Sequence, residues 1–400
     1  MTVKNIKRDL GEAYVVRILQ RERSMSQNDI AARCGLSASG VSRIVDRLKN
    51  KNLIKIRKKK NAKATKTPGR PTVQLCLNAS ARQVIVVYIS LKKIRYFRLA
   101  FDWTVTQLEE HDKPRCMDIS ELVEEVCSTL EKIRDRDDAA SFGKICGYSI
   151  LVSGFTNGQS GMIFDSSTVK VPGTGFKLRD AISSRMDHPV SLDSEGNAAL
   201  LGEIACGAVS DWNRDAVYIY YDENGTVVSF YLNGKIYRGS PEAVPGQISC
   251  YAYEEPEPGH CRESRAYWLP PVGLSVEERE TLVASGLPDY ITKFGEVVKY
   301  QDQLTGAASE ILHSRLRLLG RGLCNIINLL NPDELVIGGS LAELKDEYFD
   351  TIMSEFAASQ LHSGRALPRL VKGKLPLLEA VALGGGEHHL TFDLLTKANI

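Results

Sequence analysis

Apolar positions in the first eighty residues fall into three short helical stripes followed by a strand pair. Over residues 10–22, Val15, Val16, Ile18 and Leu19 share one face of a helix. Ser26 is placed to cap a second helix, Gln27–Cys34, which turns Ile30 and Ala31 inward. Gly35 ends that helix, because a residue without Cβ takes positive φ freely, and Leu36 plugs the turn. Ser37 caps a third helix in which Val41, Ile44, Val45 and Leu48 recur at 3–4 spacing. The short gap between the second and third helices is helix-turn-helix spacing. Leu53–Arg57 and Thr72–Leu77 then read as the two strands of a hairpin wing, joined by a tip rich in lysine.

The pattern changes after residue 80. Residues 82–108 read as two or three consecutive strands. A helix over 118–134 follows, with Leu122, Val126, Leu130 and Ile133 on one face, and then a strand beginning at Lys144. Leu192-Asp193-Ser194 is a strand end running into an Ala-rich helix. Residues 216–239 read as a hairpin about Glu223-Asn224-Gly225 with a second turn at Asn233-Gly234. A long helix, about 307–330, carries Ile311, Leu316, Leu319, Leu323, Ile326 and Ile327 and stops at Asn331-Pro332. A buried strand ending in Gly338-Gly339 and a further helix come next. Strand hairpins followed by helices, occurring twice, predict a duplicated α/β lobe.

Composition agrees with such a chain. Its 400 residues exceed one ordinary core. With 43% hydrophobic and 25% charged residues it is neither disordered nor collagen-like. No apolar run approaches the roughly 18–20 residues of a membrane span, so no membrane partner is expected. The first ten residues have no apolar signal core, and the nine cysteines are scattered singly; both favour a cytoplasmic location.

Charge divides the chain. Residues 1–72 hold 19 Lys and Arg against 5 Asp and Glu, whereas the remainder holds 32 against 44. A basic head seeks a polyanion, because Lys and Arg release counterions from a phosphate backbone. An acidic body would be repelled by one. The third helix of the head is therefore the expected reading helix, entering the major groove of a double-stranded DNA operator. Its expected contacts are Ser37, Ser39, Ser42, Arg43 and Arg47, with Gln27 from the helix before it. Arg is the usual partner of guanine. Lys58, Lys59 and Lys60 of the wing, with Lys63 and Lys66, would grip phosphate. Arg70, held between Gly69 and Pro71 in an extended arm, suits a narrow A·T-rich minor groove; a plain interdomain linker is the competing reading.

Four stretches carry a resemblance: residues 67–78 (TPGRPTVQLCLN), 196–203 (GNAALLGE), 232–240 (LNGKIYRGS) and 325–341 (NIINLLNPDELVIGGSL). In this order and spacing they resemble the ROK family of repressors and sugar kinases, over nearly the full length. The resemblance implies an α/β fold class: an N-terminal winged helix-turn-helix followed by a two-lobed actin-like, hexokinase-like (ribonuclease H-like) domain. The expected division is 1–78 for the head with its Gly-Arg-Pro linker, 79–190 for the first lobe, and 191–400 for the second lobe with dimerisation helices.

The departures from the family carry the functional expectations. Its kinases open the body with an Asp and paired glycines that let backbone amides approach ATP phosphates. Here the corresponding run is Tyr88-Ile89-Ser90-Leu91-Lys92-Lys93. The second phosphate hairpin keeps one glycine, Gly225, and gains Glu223. The family's catalytic Asp corresponds to Glu195, which can still accept a hydroxyl proton or be an ordinary helix N-terminal carboxylate. The family's zinc motif is reduced to Cys250, His260 and Cys261, so no metal is expected. Ser194, Glu195, Asn197 and Gln247 remain as candidate ligand-binding residues for a carbohydrate effector. The expected protein is a DNA-binding transcriptional regulator of repressor type, a homodimer or higher homo-oligomer, with no catalytic residues and no cofactor. The competing reading is a bifunctional ATP-dependent sugar kinase and repressor.

Overall fold

A computed structural model describes residues 11–57, 73–136, 143–166, 168–209, 213–221, 226–240, 245–246, 252–253, 265–266, 269–270, 272–358 and 367–395. The head holds helices α1 (Gly11–Glu22), α2 (Gln27–Cys34) and α3 (Ala38–Asn50). Its small sheet is formed by β1 (Met25–Ser26), β2 (Ile54–Arg57) and β3 (Gln74–Leu77), in the order β1-β3-β2. The expected apolar stripes meet in one core: Val15, Val16, Leu19, Ile30, Val41, Val45 and Leu48 are buried together. Each such side chain contributes roughly 1.5–3 kcal/mol by leaving water. The wing strands begin one or two residues later than the apolar pattern suggested, and the tip lies outside the described residues.

The body holds two five-stranded sheets of the same design. The first contains β4 (Arg82–Ile89), β5 (Lys93–Ala100), β6 (Val105–Asp112), β7 (Lys144–Val152) and β8 (Val190–Ser194). The second contains β9 (Ala216–Tyr221), β10 (Thr226–Leu232), β11 (Lys235–Ile236), β12 (Glu334–Gly339) and β13 (Arg369–Lys372). Strand orders are β8-β7-β4-β5-β6 and β11-β10-β9-β12-β13. In each sheet three antiparallel strands are followed by two parallel ones. The duplication expected from the sequence is therefore present strand for strand.

Helices complete the layers. The longer ones are α4 (Ile119–Arg136), α5 (Glu195–Cys206), α6 (Val276–Ala284), α7 (Gly306–Leu330), α8 (Asp346–Ala358) and α9 (Leu377–Leu395). Alternation along β4 sends Ile85, Val87 and Ile89 to α4, and Val84, Val86 and Tyr88 to the other side. That other side meets α5 and α9, which also pack on Tyr218, Tyr220 and Val336 of the second sheet. Helices α7 and α8 cover the far face of the second sheet.

The lobes are not consecutive blocks of chain. Strand β8, which runs past residue 190, belongs to the first sheet, and the final helix α9 returns to pack beside β4 and β7. The reason is geometric: α5 and α9 are the shared middle layer, so the chain must leave and re-enter it.

Candidate nucleic-acid interface and interlobe cleft

Local chemistry shapes the head as the sequence suggests. The Ser26 hydroxyl accepts from Asp29 N at 3.2 Å, and the Ser37 hydroxyl accepts from Gly40 N at 3.1 Å. Gly35 sits at φ 61° and closes α2. Among the expected contacts, Ser37 is thus the helix cap, and it also bonds Ser39 at 3.2 Å. Ser39 and Arg43 are exposed on α3, with Ser42 half-buried beside them, and Gln27 is half-buried at the start of α2. Asp46, which the sequence reading left out, shares this exposed face one turn beyond Arg43. Its signal was the i, i+3 spacing.

Arg47 differs from expectation in its setting. Its Nε donates to Glu12 at 2.6 Å, and Lys51 donates to the same carboxylate at 2.5 Å. Burial pushes the Glu12 carboxyl up, but the bonds from Lys51 and Arg47 outweigh it and hold it below its ordinary value. Arg47 therefore ties α3 to α1 as well as facing solvent. Lys58, Lys59, Lys60, Lys63, Lys66 and Arg70 lie outside the described residues.

The candidate ligand residues gather where β8 runs into α5. Ser194 caps α5 by accepting from Asn197 N at 3.3 Å. Asn197 Nδ2 donates to Asp193 Oδ1 at 2.7 Å. Glu195 is 3% exposed, and its Oε1 accepts from the Ser153 hydroxyl at 2.6 Å. Asp193 also accepts from Arg238, while buried Asn157 donates to Ser240 O at 3.0 Å. Ser194, Glu195 and Asn197 are thus brought together, and Gln247 lies outside the described residues. Asp193, Arg238 and Asn157 were not singled out from the sequence. The only signals were adjacency to Ser194 for Asp193 and the 232–240 stretch for Arg238; Asn157 had none.

At the position of the first phosphate loop the chain makes a tight turn. Ser90 N and Oγ both donate to Lys93 O, at 2.9 and 3.1 Å, and Ser90 and Leu91 are buried. Lys113 is drawn in behind the turn. Its ammonium donates to the carbonyls of Leu91, Pro114 and Thr168 at 3.2, 3.0 and 2.6 Å. Burial pulls this amine below its ordinary pKa. On the second lobe, Glu223 and Gly225 lie outside the described residues. Val227 and Ser229 press on the start of α5: a Cβ on Gly196 would sit 2.3 Å from Val227 Cγ1. A separate cavity of about 580 Å³ borders Gly339, Ser340, Lys293, Lys299 and Lys374. Cys250, His260 and Cys261 lie outside the described residues. Among the described residues no group of three His, Cys, Asp or Glu side chains is gathered to hold a metal ion, and no helix is long and apolar enough to cross a membrane.

A capped reading helix on a winged head, carried by two sheets of one topology around a shared helix pair, defines a DNA-binding module on an actin-like two-lobed body. Family profiles agree on both parts: a winged helix-turn-helix DNA-binding profile matches residues 15–55, and the ROK family profile matches residues 97–264 and 282–375. The chain belongs to the ROK family. It is 23% identical over 388 residues to the DNA-binding transcriptional dual regulator NagC of Escherichia coli, covering 94% of this chain and 92% of that one. It is 25% identical over 260 residues to a glucokinase of Halalkalibacterium halodurans, covering 60% of this chain and 75% of that one. Among solved structures, a ROK family transcriptional regulator described as a homolog of E. coli MLC superposes with a TM-score of 0.67 at 17% identity, covering 98% of each chain.

Proposed function

We propose that the protein is a transcriptional repressor that binds an operator as a homodimer, senses a sugar or sugar derivative in the interlobe cleft, and does not transfer phosphate. The observation that carries the reading is the reading helix α3, capped by Ser37 and exposing Ser39, Arg43 and Asp46. Relatives matched over nine-tenths of the chain are named repressors, for xylose and for N-acetylglucosamine. The buried turn at Ser90-Leu91, backed by Lys113, supports the absence of phosphoryl transfer: side chains occupy ground where a kinase's loop must be bare backbone. Glu195 and Asn197 are placed to meet sugar hydroxyls, with Gln247 a further candidate. Lys58, Lys59, Lys60 and Arg70 would contribute the phosphate and minor-groove contacts.

The test has two arms. Full-length protein is used to select duplexes from a random pool, and binding of the winner is measured across a salt series. Specific binding that weakens steeply with salt is expected. In parallel, glucose, xylose and N-acetylglucosamine are incubated with ATP and magnesium, and no sugar-dependent ADP release is expected. Failure to bind duplex at low salt defeats the repressor reading. ADP release that disappears in Glu195→Ala establishes the bifunctional kinase instead, the reading that the glucokinase relative favours.

A further inference from the structure

Helix α1 has two working faces. One packs inside the head; the other is clamped to the body by the side chains of Arg17, Gln20 and Arg21. Arg17 Nη2 donates to both carboxylate oxygens of Glu387 on α9, at 2.7 and 2.9 Å, with the Glu387 side chain only 12% exposed. Gln20, 1% exposed, donates to Phe101 O at 3.0 Å in the turn after β5. Arg21 Nε and Nη2 donate to the carbonyls of Ala205 and Ile204 at 2.9 and 2.6 Å. Those carbonyls lie in the last turn of α5, where the helix dipole favours a cation. The apolar core runs through this contact without a break, joining Val15, Ile18 and Leu19 to Phe101, Trp103, Leu200 and Ile204.

The elements gripped are not arbitrary. Helix α5 touches both lobes and the head. At its first residue, Glu195 bonds Ser153 of the first lobe, and Gly196 abuts Val227 of the second. In its middle, Glu203 accepts from Lys374 N and Leu375 N, at 2.8 and 3.1 Å, in the loop after β13. At its end, it holds Arg21. The helix is twelve residues long, about 18 Å. Its partner α9 lies backbone to backbone against it. A Cβ on Gly202 would lie 2.2 Å from Ala380 O, and one on Gly384 would lie 1.9 Å from Ala198 O. The two helices therefore form one closely packed layer, with Arg21 held by one and Arg17 by the other.

We infer that Arg17 and Arg21 are positioning residues: they key the DNA-reading head to the α5–α9 pair, so that the body sets the direction in which each reading helix points. The inference rests on the repressor reading above. In a dimer such keys fix the separation of two reading helices, and only half-sites at matching spacing are engaged together. A shift of Glu195 on ligand binding would reach the head through the same 18 Å rod, about one helix length.

The experiment uses the duplex selected with the full chain, rebuilt as a single half-site and as paired half-sites at a series of spacings. Wild type is expected to favour one spacing over its neighbours by about tenfold or more. Arg17→Ala/Arg21→Ala is expected to bind the single half-site within about twofold of wild type while its spacing preference flattens to within about threefold. Glu387→Ala, which leaves the head's sequence untouched, should flatten it in part, and Arg21→Lys should restore part of what Arg21→Ala removes. A merely structural role would weaken the single half-site as much as the pair. A double variant with the wild-type spacing optimum overturns the inference, as does a wild type with no optimum at all. If wild type binds no duplex, the repressor reading itself has failed and this inference goes with it. If the double variant does not fold, Glu387→Ala decides alone, and an unchanged optimum there counts against the keying.

Discussion

His389 shows how a single residue is set by its surroundings. It stands on α9 with Nε2 2.9 Å from the Ser191 hydroxyl, and Gly147 leaves room for the ring: a Cβ there would lie 2.4 Å from Nδ1. Burial, helped by the adjoining His388, holds its pKa down to about 3 from 6.5. The unfolded chain takes up a proton near pH 6.5 that the folded chain refuses. The stability contributed by this histidine is therefore full above that pH and is lost as pH drops from about 6.5 toward 3, by at most roughly 1.4 kcal/mol per pH unit. His389→Gln, which keeps a polar group beside Ser191, is expected to flatten this limb in urea titrations between pH 7 and 5. An unchanged slope would mean that other groups dominate acid lability. Nothing in the local sequence marks this histidine, since Ser191 and Gly147 are about two hundred residues away or more.

At the scale of elements, the reading helix was legible and the last helix was not. Helix α3 announces itself because its determinants are local: a Ser cap, 3–4 apolar spacing, and a Gly in the turn before it. Helix α9 carries Gly384-Gly385-Gly386 in its interior, and a glycine run argues against a helix on propensity alone. The tertiary reason for it is close approach: Gly385 abuts Leu151, Gly386 abuts Val86, and Gly384 abuts α5. Burial against three neighbours offsets a propensity cost of about 1 kcal/mol per glycine. The exposed stripe of α3 makes a prediction of its own. Arg43→Ala should weaken the selected duplex by about 1–3 kcal/mol and relax base preference at one position, measured by fluorescence anisotropy against a substituted panel. Arg47→Ala should leave base preference intact, because Arg47 is engaged with Glu12. Relaxation in Arg47→Ala and not in Arg43→Ala would show that a different face of α3 enters the groove.

Over the whole molecule, the question is whether the body still senses a ligand. Glu195, Ser153, Asp193, Asn197, Arg238 and Asn157 keep a polar cluster at the mouth of α5. A sugar or sugar phosphate at 100 times its dissociation constant should raise stability by about 2.7 kcal/mol, read as a shift in Tm. Glu195→Gln, which can still meet Ser153, should remove that shift with little change in the unliganded Tm. No shift with any sugar tried would leave the body an architectural support for the heads. Part of this protein was determined by its sequence alone: the winged head, the duplicated sheet hairpins and the break in charge near residue 72. Each rests on contacts or periodicities spanning a few turns or strands, where neighbours in sequence are neighbours in space. Only the tertiary structure decided that Arg47 bonds Glu12, that α9 closes the first lobe, and that Arg17 and Arg21 hold the head to α5 and α9. Most of those partners lie far apart along the chain, and whether a charged side chain meets solvent or a distant carbonyl depends on how the layers pack, which no local pattern encodes.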